Sequence, residues 1–523
     1  MNIIPIFFVF FLSLLSTGIM CYISLATSIG PWIAPTAVLG AIILFRLVRG
    51  FFIAGPSIIA ITVAGSTIGG ILATALGFSL PTLFFLDPVA FEVWTADTFN
   101  FIVSISLFSL IAAFFGFVIA DSLEHKFIDK DQLPFPIGQL VYKMIAAHNQ
   151  VKRARELALG FIVTMFFCIA QDSSGGLIPR SVGFYSDDIR LPFITFDIFP
   201  IYWAIGFVTG HVIAVPLFVG TLAQIFFGNI LSGFFFSDLS ITEFLLAFGS
   251  GMVLAGAVYG LVESPAIIWN SILNLFNGDR SMLSALNKFN GYLLSFSLLM
   301  SSLILSYFNF SFLSQIYLIV FTFICTYQIA KIAGRLGIAQ LGRFATFVMV
   351  PGIFLFEWSF LQITLTVCFV EICGGVATDV LFGRKLAKLA GIPNNYIKKY
   401  QMFGLVVSSL AVGIIFWLLI SRFSLGSADL FAQKAKTRAL LVSVDKFNNY
   451  ILACGCLFSY LLKKFNVNRT LVLGGLLMPI NISFGLVFGA LIANYTKSRE
   501  EWFPFWSGVF ASHSIWILLK TLF

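Results

Sequence analysis

Residues 98–120 read TFNFIVSISLFSLIAAFFGFVIA, a continuous apolar run without an ionisable side chain. About 20 apolar residues are enough for an α-helix to cross the hydrocarbon core of a bilayer. The run is longer than a buried β-strand, and it lacks the alternation that marks the strands of a membrane barrel. This stretch therefore predicts a transmembrane α-helix.

Comparable apolar runs recur along the whole chain. They lie near 3–25, 33–50, 56–80, 98–120, 156–171, 199–230, 243–262, 289–308, 311–330, 344–358, 359–382, 400–421, 447–462, 470–495 and 502–523. Pro216 and Pro479 fall inside two of the longer runs, and an internal proline breaks or kinks a helix. We therefore expect an all-α polytopic membrane protein with roughly 13 to 16 transmembrane or re-entrant helical segments.

The composition of the chain supports the same class of protein. Of the 523 residues, 59% are hydrophobic and 10% are charged, and the mean hydropathy is +0.99. Soluble proteins carry roughly 25% charged residues. No basic segment precedes the apolar run that starts at Ile3, so we expect the first helix to be retained rather than cleaved as a signal peptide. The polar loops are too short for an independent soluble domain.

The basic residues predict the orientation in the membrane. The net charge of +8 reflects clusters of lysine and arginine in alternate loops, as the positive-inside rule describes, and does not indicate nucleic-acid binding. This pattern predicts a multi-pass protein of the plasma (inner) membrane with a cytoplasmic N-terminus. The loop at 422–446 departs from the pattern, because Lys434, Lys436 and Arg438 lie where the alternation expects the outer side.

The polar loop at 263–288 suggests a division into two transmembrane halves, residues 1–275 and 276–523. Secondary transporters commonly pair two such halves around a site near the midplane. A homo-oligomer is compatible with this organisation.

Glu371 is the clearest candidate for a functional residue. It lies within an apolar run, where an ionisable side chain costs about 2.5–3.5 kcal/mol at the bilayer centre and is a functional candidate by default. A buried carboxyl group can exchange a proton near neutral pH, as a proton-coupled carrier requires. Gly374 and Gly375 follow it, and we expect them to break the helix beside the carboxylate. The alternative is a structural partner for a neighbouring helix.

Five further polar residues are candidates for substrate binding or proton coupling. His211 lies in an apolar run just before Pro216, where a hydrogen-bonded interior histidine is the simpler interpretation. The other four lie at or near the ends of apolar runs, where an interfacial position is the alternative to a functional one: Gln171, Asp172, Asp379 and Glu263.

Helix packing accounts for the small residues and for the cysteines of the sequence. The segment 249–252, which contains Gly249 and Gly251, places small residues on one helix face together with Gly256 and Gly260, and this is typical of close helix packing in membranes. All seven cysteines lie in apolar segments, where we expect packed thiols. Cys454 and Cys456 have no histidine or carboxylate at metal-ligand spacing, so we predict no metal site and no cofactor.

Motifs of known enzymes do not assemble in this sequence. It contains no nucleophile elbow, His-Glu-x-x-His helix or phosphate-binding loop. We therefore expect a secondary transporter and not an enzyme. Two alternatives stay open: a membrane-embedded transferase acting on lipid-linked substrates, and a channel or scaffold.

Several motifs, in order, resemble those of the oligopeptide transporter family, which includes the yellow-stripe-like metal-chelate carriers. Leu133-Pro134-Phe135-Pro136-x-Gly138 is similar to the family's Leu-Pro-[Phe/Tyr]-Pro-x-Gly signature. Weaker similarities lie at 22–25, 249–256, 385–404 and 473–489, the last including Pro479.

The resemblance implies proton-coupled uptake of small peptides or metal chelates by alternating access. Protons and membrane lipid would then be the other partners. Ile137 and Gln139 replace the acidic or small polar residues usual in the signature. We therefore assign Pro134, Pro136 and Gly138 to the architecture and not to substrate chemistry.

Overall fold

A computed structural model of the chain describes residues 3–26, 33–47, 55–146, 151–172, 178–179, 181–184, 194–227, 243–256, 291–336, 339–427, 429–443, 448–477, 480–496 and 499–522. In the first part of the chain the helices are α1 Ile3–Ala26, α2 Ala34–Leu47, α3 Pro56–Ser79, α4 Thr82–Leu86, α5 Pro88–Ala96, α6 Thr98–Glu124, α7 Pro136–Ala146, α8 Val151–Asp172, α9 Pro200–Thr209, α10 His211–Ile225 and α11 Glu243–Gly256. They continue as α12 Gly291–Tyr307, α13 Phe312–Leu336, α14 Leu341–Phe356, α15 Phe360–Leu389, α16 Asn394–Arg422, α17 Gln433–Val442, α18 Asn449–Lys464, α19 Arg469–Leu477, α20 Ile480–Tyr495 and α21 Arg499–Leu522.

The chain is an all-α polytopic membrane protein, as its sequence predicts. Among the described residues, six helices are long and apolar enough to cross a membrane, and shorter apolar helices accompany them. The described residues also form one small antiparallel β-sheet, which consists of two short strands, β1 Ser181–Phe184 and β2 Ile194–Asp197.

Helix starts follow from local sequence chemistry. The side chains of Asp87 and Asp97 accept hydrogen bonds from backbone N–H groups in the first turns of α5 and α6. Ser359 and Gln362 form a reciprocal capping box at the start of α15. Such caps satisfy N–H groups that have no partner within the helix.

The chain forms two compact units, each built from separate segments. Unit 1 comprises Met1–Ser24, Trp32–Gln150 and Gly260–Arg422, and unit 2 comprises Leu25–Pro31, Val151–Tyr259 and Phe423–Phe523. These units differ from the predicted halves 1–275 and 276–523, because each unit takes segments from both sides of residue 275. That boundary itself lies outside the described residues.

In unit 1, helix α15 packs against α3, α6, α13, α14 and α16 and is buried along most of its length. Contrary to the predicted break, α15 is continuous through Gly374 and Gly375. The two glycines serve packing instead: a methyl group at Gly374 would lie 2.5 Å from the side chain of Ile329, and one at Gly375 would lie 2.9 Å from that of Ile71.

In unit 2, several helix pairs cross where backbones touch at glycines. A methyl group at Gly206 in α9 would lie 2.0 Å from the carbonyl oxygen of Leu486 in α20. In return, one at Gly489 in α20 would lie 2.1 Å from the carbonyl oxygen of Trp203 in α9. The α10–α19 crossing has the same reciprocal arrangement at Gly220 and Gly475. Small residues that allow this approach are characteristic of membrane helix packing.

The break in the run at 199–230 lies at Gly210 and not at Pro216. Gly210 has a φ of 71° and separates α9 from α10, whereas Pro216 lies inside α10. Glycine adopts this left-handed φ without the steric penalty of a Cβ atom, and so the chain breaks there.

Candidate functional site

Asp379 is a buried carboxyl group in the interior of α15. It is 2% exposed, and its Oδ2 atom accepts a hydrogen bond of 2.7 Å from the hydroxyl of Thr67 on α3. Among the described residues no lysine, arginine or histidine forms an ion pair with it. The apolar run ends near Asp379, as the sequence indicates, but α15 continues past the run to Leu389, so this carboxyl group lies inside the helix and not at its end.

Glu371 lies two turns earlier on the same helix and is fully buried. Its Oε2 atom accepts a hydrogen bond of 2.6 Å from the hydroxyl of Ser79, the last residue of α3. One helix pair of unit 1 therefore holds two buried carboxyl groups, each joined to a hydroxyl of the partner helix.

The two carboxyl groups lie on either side of the middle of α15. With a rise of 1.5 Å per residue, Glu371 is about 5 Å and Asp379 about 7 Å from the midpoint of this helix along its axis. Helix α3 carries no titratable residue between Pro56 and Ser79. On the side of α3, the two carboxyl groups therefore face hydroxyl groups and no charged side chain.

A cluster of charged residues lies near the C-terminal end of α15. The guanidinium of Arg384, buried at 1% exposure, pairs with Glu124 at 2.5 Å and with Asp121 at 3.2 Å, both on α6. Its Nε atom donates to Gln401 of α16 at 2.7 Å, and Lys398 of α16 pairs with Asp121 at 2.5 Å. This network joins α6, α15 and α16.

Arg384 is followed in the sequence by Lys385 and Lys388, and such a basic cluster is typical of a cytoplasmic loop. The basic residues from 384 onward begin within the last turns of α15 and not in the loop that follows. Arg384 and Lys398 carry two positive charges, and Asp121 and Glu124 carry two negative charges, so the formal charges of the cluster cancel. This balance explains how a guanidinium can be buried at all.

The segment Leu133–Gly138 packs beside the same end of α15. The backbone N–H of Phe135 donates to the carbonyl of Gly334 at 2.7 Å, and the ammonium of Lys385 donates to the carbonyl of Leu133 at 3.0 Å. Phe135 is fully buried. A methyl group at Gly138 would lie 2.7 Å from the carbonyl oxygen of Phe382.

Pro136 is the first residue of α7, a position that favours proline because the N–H it lacks would have no partner within the helix. Pro134 is exposed. The segment therefore connects two helices within unit 1.

Two other candidates belong to unit 2. His211, the first residue of α10, is exposed, so the interior position was wrong. Gln171 is buried near the end of α8, and its amide donates to the carbonyl of Ile198 at 3.1 Å. This bond ties α8 to the end of the β1–β2 hairpin, which favours a structural role.

The remaining candidates lie partly or wholly outside the described residues. Asp172 is the last residue of α8, and its side chain lies outside the described residues. Glu263 and Pro479 also lie outside them, although α19 ends at Leu477 and α20 begins at Ile480.

Gly251 packs α11 against α18. A methyl group at Gly251 would lie 2.1 Å from the carbonyl oxygen of Leu452, whereas one at Gly249 would meet only the side chains of Leu473 and Leu477. Five cysteines are buried as expected, but Cys454 is exposed and Cys456 partly so. Within the described part of the chain, no group of three or more His, Cys, Asp and Glu side chains could hold a metal ion.

Sequence reasoning missed both hydroxyl partners on α3. Thr67 lies in the glycine-rich stretch 65–70, a pattern typical of close helix packing in membranes. Thr67 and Ser79 are two of the six hydroxyl residues of α3, and because such residues are common in membrane helices, the sequence does not distinguish these two.

No protein-family model matches the chain, and no curated protein matches it. The resemblance to the oligopeptide transporter family therefore stays a prediction that rests on the sequence motifs.

Proposed function

We propose that the protein is a secondary active transporter that couples substrate movement to protons by alternating access. The observation that carries the proposal is the pair of buried carboxyl groups, Glu371 and Asp379, held by hydroxyls of α3. A carboxyl group in this setting can accept a hydrogen bond when ionised and donate one when protonated. Gain or loss of a proton thus changes the bonding between α3 and α15.

Sequence and structure support different parts of this proposal. Carboxyl groups inside membrane spans are functional candidates by default, and proton relays in transporters use such groups. The sequence motifs favour small peptides or metal chelates as substrates. The plasma (inner) membrane location and the cytoplasmic N-terminus follow from the distribution of basic residues.

The charged cluster at Arg384 does not favour the alternative of a membrane-embedded transferase. Such an enzyme needs charges at one membrane face that bind metal and phosphate. At Arg384 the charges of Asp121, Glu124 and Lys398 are satisfied by one another, which favours a structural role.

Uptake into proteoliposomes with an imposed pH gradient tests the proposal. Di- to tetrapeptides and iron chelates are the probes, and we expect saturable uptake that is fastest with the acidic side outside. The variants Glu371→Gln and Asp379→Asn should lose gradient-driven uptake, because an amide cannot carry the proton. They should retain exchange of labelled for unlabelled substrate without a gradient.

The matched control is Glu357→Gln, which removes an exposed carboxyl group just after α14 and should leave uptake unchanged. Proton coupling would be refuted by saturable flux that does not depend on the pH gradient and is unchanged in the two α15 variants. Flux that does not saturate would favour the channel alternative.

A further inference from the structure

Two lysine ammonium groups pack on one buried tyrosine in unit 1. Tyr327 lies in the C-terminal half of α13 and is 1% exposed. The Nζ atom of Lys126 is 5.3 Å from the centroid of its ring, and that of Lys331 is 5.8 Å from the same centroid. Both distances are within the range of a cation–π contact. The ring therefore brings together two like charges from distant parts of the chain.

The packing of α6 against α13 fixes this meeting. A π-helical turn, His125–Lys130, continues α6 and carries Lys126 and Phe127. The ring of buried Phe127 packs against that of Tyr327, with the two centroids 5.2 Å apart. Single π-helical turns occur frequently at functional sites. The packed rings hold this turn against α13 and so place Lys126 beside Lys331.

A third cation belongs to the same group. Tyr327, Lys331 and Arg335 follow one another at intervals of four residues, which places them on neighbouring positions of one helix face. The charges of Arg335 and Lys126 both repel the Lys331 ammonium, and the carboxylate of Asp131 attracts it. Among the described residues, none of the three cations forms an ion pair. One carboxylate beside three cations leaves two positive charges that are not balanced within the group.

The end of α13 offsets only part of this charge. A helix C-terminus carries a partial charge equivalent to about −0.5, which favours a basic residue such as Arg335 in the last turn. Half a charge does not balance two, and Lys126 and Lys331 are both partly buried, so that solvent screens them less than it would screen surface lysines. An anion bound beside the three cations would balance the remainder.

The exposed face of α13 indicates what kind of anion fits. Ile316 and Val320 are exposed apolar residues of this helix. Val320 precedes Lys331 by eleven residues, which is close to three helical turns, so the two lie on one face and about 17 Å apart along the axis. The hydrocarbon of one leaflet is about 15 Å thick. A phospholipid matches this spacing, with its acyl chains on the apolar residues and its headgroup at the cations.

We propose that Lys126, Lys331 and Arg335 bind the phosphate of an anionic phospholipid whose acyl chains lie along the exposed face of α13. Ammonium and guanidinium groups both donate charge-assisted hydrogen bonds to phosphate. Basic groups at the cytoplasmic ends of membrane helices bind anionic headgroups, and the positive-inside rule predicts that side for the basic residues of this chain. The inference goes beyond the proposed transport and does not rest on it, since headgroup binding requires no movement of a substrate.

Native mass spectrometry of the full-length protein in detergent tests the site. Phosphatidylglycerol and phosphatidylcholine with identical acyl chains are titrated separately, so that the headgroup is the only difference between them. We expect one phosphatidylglycerol to bind about tenfold or more tightly than phosphatidylcholine, as hydrogen bonds to a charged group predict. Glycerol phosphate has no acyl chains and should not displace the lipid at the same concentration.

Substitutions locate the site on the molecule. Lys126→Gln and Lys331→Gln should each weaken binding of phosphatidylglycerol about tenfold or more and leave that of phosphatidylcholine unchanged. Lys331→Arg keeps the charge and should retain binding. The matched control is Lys399→Gln, which removes an exposed lysine of the same unit and should have no effect. Unfolding temperatures without lipid show whether the variants are equally well folded.

Each outcome supports or overturns the assignment. Equal affinity of the unsubstituted protein for the two lipids would overturn the site whatever the variants show. Equal losses in Lys331→Gln and Lys399→Gln would overturn its assignment to this cluster, because a diffuse basic surface depends on any of its lysines. Displacement by glycerol phosphate at the same concentration would overturn the lipid in favour of a free phosphate compound. Losses confined to Lys126→Gln and Lys331→Gln would support the site.

Discussion

The hydroxyl of Thr67 lies 2.7 Å from a carboxyl oxygen of Asp379, although 312 residues separate the two in the chain. Thr67 is in the middle of α3, and Asp379 is in the interior of α15. A second bond, from Ser79 to Glu371, joins the same two helices. Together the two bonds place both candidate proton-binding groups at one helix interface.

Removal of the Thr67 hydroxyl is expected to destabilise unit 1. Thr67→Val keeps the side-chain shape but leaves the Asp379 carboxyl group without its described donor, which costs about 1–3 kcal/mol. Thermal unfolding in detergent measures the loss. The matched control is Thr74→Val on the same helix, because the buried Thr74 hydroxyl donates only to the carbonyl of Gly70 in its own helix.

The double variant sharpens this test. In Thr67→Val with Asp379→Asn, the loss should be smaller than the sum of the single losses, because the two side chains interact directly. Strictly additive losses would show that the hydrogen bond contributes nothing to stability.

The Arg384 network predicts a larger effect. Arg384→Gln leaves the Glu124 and Asp121 carboxylates without their main buried partner, and breaking a buried ion pair typically costs 3–5 kcal/mol, so we expect a loss of about that size. Lys388→Gln is the control, since this lysine is half exposed and pairs with Asp129 at the surface, where an ion pair contributes about 0–1 kcal/mol. Equal unfolding temperatures for the two variants would contradict the buried-network interpretation.

The sequence predicts features that depend on local chemistry. Apolar runs predict the spans, and the proline spacing predicts the start of α7 at Pro136, because both depend on residues close together in the chain. Contacts between distant segments are different. Arg384 meets Asp121 across 263 residues of sequence, and its position among basic residues favours a loop. The buried network therefore could not be predicted from the charge pattern.

The basic residues near 436 illustrate the same limit. Their position conflicted with the charge alternation because they were assigned to a loop facing water. Lys436 and Arg438 belong instead to helix α17, where Arg438 is only 5% exposed. Buried basic residues carry no information about which loops are cytoplasmic, since the positive-inside rule concerns exposed loops.

Gly251 and Gly256 on α11 offer a matched pair of substitutions. Gly251→Ala places a methyl group 2.1 Å from the carbonyl oxygen of Leu452, whereas a methyl group at Gly256 meets nothing within 4 Å. Overpacking of this kind costs about 1–3 kcal/mol. Thermal unfolding should therefore show a loss for Gly251→Ala and none for Gly256→Ala, and equal effects would show that the crossing adjusts at no cost.

Gly138→Ala tests whether the Leu133–Gly138 segment fixes the position of α7 beside α15. The added methyl group would lie 2.7 Å from the backbone carbonyl oxygen of Phe382, which cannot move without distorting α15. We expect α7 to shift and to strain the bond from the Phe135 N–H to the Gly334 carbonyl. Hydrogen exchange should then be faster at the Phe135 amide, while amides in the middle of α8, in unit 2, keep their rates. An unchanged Phe135 rate would show that the segment tolerates a side chain at 138 and that its glycine has a role other than close packing.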